Sequence, residues 1–112
     1  MKKIEAILQP EKVEDVRMAL EKAGRAGITI IEAKGNGKQK GVYKQFRGVK
    51  YKIPLLQKVK IEIVVNDNQV DETVKIIVDS ARTGEIGDGK IFISSIDSAI
   101  KIRTGEQGET II

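Results

Sequence analysis

The sequence of 112 residues contains no cysteine and no histidine. Without cysteine it can form neither disulfides nor thiolate metal sites. Without histidine it lacks the commonest general base and the commonest metal ligand of proteins. Serine and cysteine catalytic triads are therefore excluded, and an enzyme built on this chain would have to rely on its carboxylates.

Aromatic residues and long apolar runs are also scarce. There are two tyrosines and two phenylalanines, and Tyr43, Phe46 and Tyr51 lie close together in the sequence. No apolar run approaches the length of a membrane-spanning helix or the core of a secretory signal. We therefore expect a cytoplasmic protein of one domain, residues 1–112, because a hydrophobic content of 40% supplies one modest core.

Acidic residues are missing from one long stretch of the chain. Between Lys34 and Lys60 there are nine basic residues and no acidic one, whereas the rest of the chain has eleven basic and sixteen acidic residues. A strongly basic segment on an otherwise acidic body favours an anionic partner at that segment.

Glycine is concentrated in Thr83-Gly84-Glu85-Ile86-Gly87-Asp88-Gly89-Lys90, which we call the glycine loop. Glycines let the backbone approach an anion closely, so that consecutive N–H groups converge on it, and a lysine adds a point charge. The spacing resembles a P-loop, but Ile91 replaces the required Ser or Thr, and the loop leads from a helix pattern into a strand pattern. We reject a P-loop and favour a different anion site over a helix cap followed by a plain turn.

Each half of the chain shows a strand, a helix and a strand. Lys60-Ile61-Glu62-Ile63-Val64-Val65 repeats residues 3–8 at a constant offset of 57. Alternating apolar residues predict strands at 2–8, 28–33, 60–65 and 90–95, with a short fifth strand at 99–103. Helical spacing predicts two buried stripes, formed by Val13, Val16, Ala19, Leu20 and Ala23 and by Val70, Val74, Ile77, Val78 and Ala81. We expect Pro10 in the first turn of the first helix and Asn68 as N-cap of the second.

This order predicts an α+β protein with the ferredoxin-like βαββαβ arrangement and both helices on one face of an antiparallel sheet. We expect the other face to be too apolar to remain in water, with these residues as its apolar members: Ala6, Leu8, Ile61, Ile63 and Val65. Burial of that face against other subunits would make an oligomer. Cover by the chain's own C-terminal tail is the alternative.

The second and third strands are joined by a long basic segment, residues 36–58. Loops of more than roughly 12–15 residues in compact domains are usually functional or disordered. This one contains Gly37, Gly41 and Gly48 and both tyrosines of the chain. We expect it to be a flexible regulatory loop that carries recognition.

Several motifs together resemble the PII signal-transduction proteins, the nitrogen-regulatory family. They occur in the family's order over the whole chain: Gly35-Asn36-Gly37-Lys38-Gln39-Lys40-Gly41, Arg47-Gly48-Val49-Lys50-Tyr51, Lys58-Val59-Lys60-Ile61-Glu62, the glycine loop with Ile91-Phe92, and Ile102-Arg103-Thr104-Gly105-Glu106. The glycine loop and the last of these motifs are the most specific. The resemblance implies a trimer of ferredoxin-like subunits with ATP and ADP competing for clefts between neighbours.

The resemblance also implies roles for single residues. Phosphates would be held by the glycine loop and Arg103, and the base by Thr29 and Val64. The full set implied for nucleotide is Thr29, Gly37, Lys38, Gln39, Val64, Gly87, Asp88, Gly89, Lys90, Lys101 and Arg103. Gln39 would complete Mg²⁺ coordination when 2-oxoglutarate binds beside ATP. The set implied for 2-oxoglutarate is Gly37, Gln39, Lys40, Gly41 and Lys58, with Lys58 pairing with a carboxylate.

The chain departs from the family pattern mainly in the long loop. The family commonly has Phe, Tyr, Ala and Glu where this chain has Asn36, Phe46, Val49 and Lys50, and arginine in place of Lys101. A lysine at 101 keeps the charge but loses the bidentate geometry of arginine. The resemblance implies that Tyr51 is a site of uridylylation and that Arg47 contacts an ammonium transporter. Lys50 and Lys52 flank the tyrosine and break the usual signature around it.

We therefore interpret the chain as a sensor and not as an enzyme. ATP or ADP, Mg²⁺ and 2-oxoglutarate would set the loop conformation, which would regulate an ammonium transporter or enzymes of nitrogen metabolism. A ferredoxin-like module for anions or nucleic acid is the alternative, but base stacking needs aromatic residues on the sheet, and three of the four lie in the loop. A small phosphate hydrolase is the third reading, although Asp88 is better explained as a turn residue. Taken alone, Lys58 could be a solvated lysine at a strand edge, and Tyr51 could pack the loop onto the body.

Overall fold

The computed structural model describes residues 1–35, 43–46, 49–52 and 56–112, and of residues 43–46 and 49–52 it describes the backbone. These residues form six strands and two α-helices: β1 (Lys2–Leu8), α1 (Val13–Lys22), β2 (Ile28–Gly35), β3 (Tyr43–Phe46), β4 (Val49–Lys52), β5 (Leu56–Val65), α2 (Val70–Ala81) and β6 (Gly89–Ser95). Short 3₁₀ turns precede each helix, at Pro10–Lys12 and Asp67–Gln69.

Four of the strands form one antiparallel sheet in the order β2-β5-β1-β6. Ile4 of β1 lies opposite Ile63 of β5 and Ile93 of β6, which fixes the register. The two helices pack against one face of this sheet, where their buried residues share one core with β1 and β5. The predicted α+β ferredoxin-like arrangement is thus confirmed, and the order of elements around the glycine loop is helix, loop and strand.

The core lies between this sheet and the helices. Every second residue of β1 and β5 is buried there, because successive side chains of a strand point to opposite faces. Val16 and Leu20 of α1 and Ile77 and Ala81 of α2 cover these positions. The prediction that Ala6, Leu8, Ile61, Ile63 and Val65 line an uncovered face is wrong, since all of them belong to this core. The apolar stripes of the two helices pack against the more apolar of the two sets of alternating side chains of each strand.

The face of the sheet that the helices leave uncovered, which we call the open face, is charged along its middle. Lys3 Nζ lies 2.7 Å from Glu5 Oε1 on β1, and Lys60 Nζ lies 3.1 Å from Glu62 Oε1 on β5. The two glutamates are directly opposite each other. Each glutamate is therefore neutralised by a lysine of its own strand, which offsets the repulsion between like charges across the ladder.

The ends of the helices differ from the sequence prediction at one cap. The N-cap of the turn that leads into α2 is Asn66 and not Asn68, and the backbone N–H of Asn66 donates to Gln69 Oε1 at 3.2 Å. The predicted cap failed because one 3₁₀ turn, Asp67–Gln69, precedes the α-helix and moves its start back along the chain. Neither helix in the described ranges is long and apolar enough to cross a membrane.

The chain beyond β6 and the long segment between β2 and β5 also depart from expectation. The predicted fifth strand at 99–103 is wrong, because residues 102–104 form a turn and the chain around them is joined by a single bridge between Ile100 and Gln107. Within 36–58, β3 pairs with β4 as a separate two-stranded sheet, and β5 already begins at Leu56. Whether this segment is flexible stays a prediction.

Candidate functional site

The glycine loop connects the end of α2 to the start of β6 and is fixed by close backbone contact with β1. Gly89 has φ +107°, and a Cβ at this position would lie 1.7 Å from the carbonyl oxygen of Ile7. A side chain at 89 would therefore need both a left-handed conformation and a shift of β1. The sequence motif requires glycine at this position because two backbones meet there.

The Asp88 side chain holds the loop in shape from within. Its carboxylate accepts hydrogen bonds from the backbone N–H groups of Thr83 and Gly84, each at 2.9 Å, and from the hydroxyl of Thr83. These bonds, that of the Thr83 hydroxyl first, hold the pKa of Asp88 below its usual range. The carboxylate is engaged with its own loop, which agrees with a turn residue and not with a hydrolytic acid.

The Gly87 carbonyl joins the loop to two distant side chains. Gln9 Nε2 donates to it at 3.0 Å and Lys58 Nζ at 3.3 Å. Lys58 belongs to β5, and Gln9 directly follows β1. The structure thus brings Lys58, predicted to bind 2-oxoglutarate, against the loop predicted to bind phosphates. Sequence reasoning assigned no role to Gln9, and no local pattern could have done so, because 78 residues separate it from Gly87.

Lys90, the last residue of the glycine loop, lies on the open face of the sheet. It is exposed and stands opposite Ile7 in the register of β6 with β1. Lys58 lies on the same face, because it alternates with Val59, which is buried in the core. Two cations and the backbone of a glycine-rich turn therefore lie at one end of the sheet, which is a donor set that suits a phosphate.

Thr29 and Val64 lie at a separate place. They line a cavity of about 420 Å³ that also includes Gly27 and Glu62. Thr29 is on edge strand β2, and Lys90 is on the opposite edge strand, β6. Three strand spacings separate these edges, or about 14 Å. The residues predicted to bind the base and the phosphates therefore do not form one compact pocket within a single chain.

Lys101 and Arg103 lie in the chain that follows β6. They lie in an exposed turn, in which the Gly105 N–H donates to the Lys101 carbonyl at 2.7 Å. This turn follows the Ser95 end of β6, whereas the glycine loop precedes its Gly89 end, and the strand between them is about 20 Å long. The predicted phosphate ligands therefore come from opposite ends of one strand.

The remaining predicted site residues lie in or next to the long segment. Gly37, Lys38, Gln39, Lys40, Gly41, Arg47 and Asn36 lie outside the described residues. The backbone of Tyr51 is described in β4, where it stands opposite Lys44 of β3. Phe46 and Val49 are opposite each other in this two-stranded sheet, and Lys50 is opposite Gln45.

Comparison with known proteins identifies the family. The model of the family "Nitrogen regulatory protein P-II" matches residues 1–106. The chain belongs to the P-II family. "Nitrogen regulatory protein P-II 2" of Methanothermobacter thermautotrophicus is 55% identical over 112 residues, which cover 100% of this chain and 97% of the relative. The P-II proteins of Nostoc punctiforme and Rhodobacter capsulatus are 55% and 53% identical, over 96% and 100% of both chains.

Membership of the P-II family makes this chain a nitrogen regulatory protein. It confirms the resemblance inferred from the motifs and favours a regulator over the alternatives of a nucleic-acid module and a phosphate hydrolase.

Proposed function

We propose that this P-II chain senses ATP or ADP together with Mg²⁺ and 2-oxoglutarate. It reports them through residues 36–58 to an ammonium transporter or to enzymes of nitrogen metabolism. The observation that carries the proposal is the hydrogen bond from Lys58 Nζ to the Gly87 carbonyl. It joins the residue proposed for the 2-oxoglutarate carboxylate to the loop proposed for the phosphates, so that the two ligands can influence one another.

The donor set fits a polyphosphate with a bound carboxylate nearby. Lys90, the last residue of the glycine loop, is exposed, and Lys58 lies on the same face of the sheet. The proposed Mg²⁺ ligand Gln39 lies outside the described residues, as do Gly37, Lys38, Lys40 and Gly41. When bound, ATP and Mg²⁺ supply the oxygens and the charge that a 2-oxoglutarate chelate requires. This chain's own part is to hold the phosphates and to neutralise the second carboxylate.

The proposal includes a homotrimer with the nucleotide between subunits. Its support is the separation of Thr29 and Val64, and of Lys101 and Arg103, from the glycine loop. A neighbouring copy would bring its base pocket or its C-terminal turn to this loop, completing a site that one chain leaves divided. Contact with a transporter through Arg47 and modification of Tyr51 belong to the same proposal, as does a cytoplasmic location.

Calorimetric titration with ATP, ADP and 2-oxoglutarate, with and without Mg²⁺, tests this function. We expect 2-oxoglutarate to bind only with ATP and Mg²⁺ present. It should raise the affinity of the protein for ATP by the same factor by which ATP raises the affinity for 2-oxoglutarate. Equal binding of 2-oxoglutarate in the presence of ADP, or without Mg²⁺, would show that the sensor mechanism is wrong.

Three lysine-to-alanine variants separate the roles within that experiment. Lys90→Ala should lower ATP affinity by roughly tenfold to a hundredfold, as expected for one charge-assisted contact. Lys75→Ala is the matched control, since Lys75 is exposed on α2 and pairs with Asp79. Lys58→Ala should abolish the effect of 2-oxoglutarate and leave ATP binding largely intact, whereas Gln39→Ala should weaken both the metal and the coupling. ATP affinity unchanged in Lys90→Ala would remove the phosphate role of that residue.

A further inference from the structure

The Gly87 carbonyl accepts hydrogen bonds from two side chains of different chemistry. Gln9 Nε2 is a neutral amide donor at 3.0 Å, and Lys58 Nζ is a cationic donor at 3.3 Å. Both contacts are partly buried. The two donors reach the loop from different strands, Gln9 from the end of β1 and Lys58 from β5. One peptide group of the glycine loop is therefore anchored twice to the body of the protein.

Anchoring this carbonyl fixes the direction of a backbone N–H. The C=O of Gly87 and the N–H of Asp88 belong to one planar trans peptide group, so they point in opposite directions. This peptide turns about ψ of Gly87, and glycine, which here has φ +103°, restricts its backbone angles less than residues with a Cβ. The two donors thus supply an orientation that the glycine does not enforce. They direct the Asp88 N–H away from Gln9 and Lys58.

The two donors respond differently to a carboxylate. The Lys58 ammonium gains the attraction of a full negative charge from a carboxylate, whereas the Gly87 carbonyl offers it only a dipole. A dicarboxylate effector therefore competes with the Gly87 carbonyl for Lys58. It has no comparable attraction for the neutral amide of Gln9. After such a competition the carbonyl retains the bond from Gln9.

We propose that Gln9 is a positioning residue that keeps the Gly87–Asp88 peptide oriented toward phosphate when Lys58 turns to the carboxylate of an effector. This role rests on the proposed function, because it assumes a nucleotide at the glycine loop and a carboxylate at Lys58. In this role, Gln9 maintains the affinity for nucleotide when both the nucleotide and the effector are bound. Lys58 and Gln9 share the same carbonyl while the effector is absent.

Calorimetry of the full-length chain with Gln9→Met tests the role, because methionine keeps the length of glutamine and removes the donor. With ATP and Mg²⁺ alone we expect an affinity within about twofold of wild type, since Lys58 still holds the carbonyl. With saturating 2-oxoglutarate we expect ATP affinity to fall about two- to tenfold below wild type, as for one lost hydrogen bond. The factor by which 2-oxoglutarate raises ATP affinity is then smaller in the variant. By linkage, the affinity of the ATP-loaded protein for 2-oxoglutarate falls in the same proportion.

Gln57→Met is the matched control, because Gln57 is exposed on β5 next to Lys58. It should leave both ATP affinities and the coupling unchanged. The nitrogen chemical shift of the Asp88 amide gives a readout without ligand. It should move in Gln9→Met, because the Gly87 carbonyl loses a donor, and should stay in place in Gln57→Met.

The outcomes separate this role from the function on which it rests. Wild-type protein that binds no ATP, or binds 2-oxoglutarate without ATP, overturns the proposed function and the role of Gln9 with it. Suppose that the wild-type protein shows the coupling and that Gln9→Met loses the same ATP affinity with and without 2-oxoglutarate. Gln9 is then merely structural. If the wild-type protein shows the coupling and Gln9→Met keeps its ATP affinity in both conditions, the role of Gln9 alone is overturned. An unchanged chemical shift of the Asp88 amide in Gln9→Met has the same consequence.

Discussion

Asp88 ties the shape of the glycine loop to its own protonation state. Its carboxylate accepts from the Thr83 hydroxyl and from the N–H groups of Thr83 and Gly84. These bonds and, to a smaller extent, the charge of Lys12 lower its pKa from the usual 3.8. A carboxyl group whose pKa is lower in the folded state stabilises the fold above its unfolded pKa. That contribution is lost as the pH falls through the folded value.

Asp88→Asn should accordingly lower the melting temperature at pH 7, because the amide keeps one acceptor and loses the charge. The difference from wild type should shrink as the pH falls below 3.8, since protonated Asp88 makes the same weakened bonds. Thermal unfolding followed between pH 7 and pH 2 measures this, with Asp97→Asn, at an exposed position after β6, as control. A deficit that is the same at every pH would contradict the electrostatic account.

At the scale of the elements, the junction of β1 and β6 determines where the glycine loop lies. The two strands pair from Lys2 with Ser95 to Leu8 with Gly89. At the loop end of this ladder the strands are so close that Gly89 faces the Ile7 carbonyl. The helix α2 delivers the chain to this point, and its buried Ile77 and Ala81 hold it on the sheet. The loop is thus positioned by packing on one side and by a strand ladder on the other.

Gly89→Ala should destabilise the protein by about 2–4 kcal/mol, because a Cβ would collide with the Ile7 carbonyl in a backbone conformation strained for alanine. Gly27→Ala is the control, since a Cβ there meets no atom within 4 Å, and its effect should stay within about 0.5 kcal/mol. Urea unfolding at one protein concentration compares the two. Equal stability of both variants would contradict the close approach of β1 and β6.

At the scale of the whole molecule, the open face combines a charged centre with exposed apolar residues on its edge strands. The lysine–glutamate pairs lie on β1 and β5, while Ile31 on β2 and Phe92 on β6 are 39% and 56% exposed. The C-terminal Ile111 and Ile112 line the cavity that contains Val64. Ile31 and Phe92 do not line this cavity and are left exposed to water. Ion pairs formed within each strand reduce the charge that a second copy would have to desolvate. This surface suits the proposed trimer.

Phe92→Asp should dissociate the trimer, raising the dissociation constant by at least about a hundredfold, because a charge would be buried at every interface. Met18→Asp is the matched control, since Met18 is also 56% exposed but lies on α1, outside the sheet. Sedimentation velocity at low micromolar concentration distinguishes the two. A wild-type monomer would refute the trimer, and a Phe92→Asp trimer would place the interface elsewhere.

The sequence by itself determined most of the strands and helices around the core and indicated the family. Alternation along 2–8, 28–33 and 90–95, the helical stripes and the glycine loop depend on neighbours in the chain, so β1, β2, both helices and β6 were predicted closely. The motifs at 35–41, 83–92 and 102–106 identified the family for the same reason. β5 was predicted from residue 60 but begins at Leu56, and β3 and β4 were not predicted. The Asn68 cap and the strand at 99–103 failed where one extra turn or one missing ladder decides between conformations of similar local energy.

Only the tertiary structure decided which groups meet. The two helices bury the alternation that contains Ile4 and Ala6 and leave Lys3 and Glu5 on the open face. Strand order then separates Thr29 from Lys90 by the width of the sheet and brings Gln9 and Lys58 to the Gly87 carbonyl. Strand order and register are set by packing between segments far apart in the chain. A local pattern therefore carries no information about a contact that spans 78 residues.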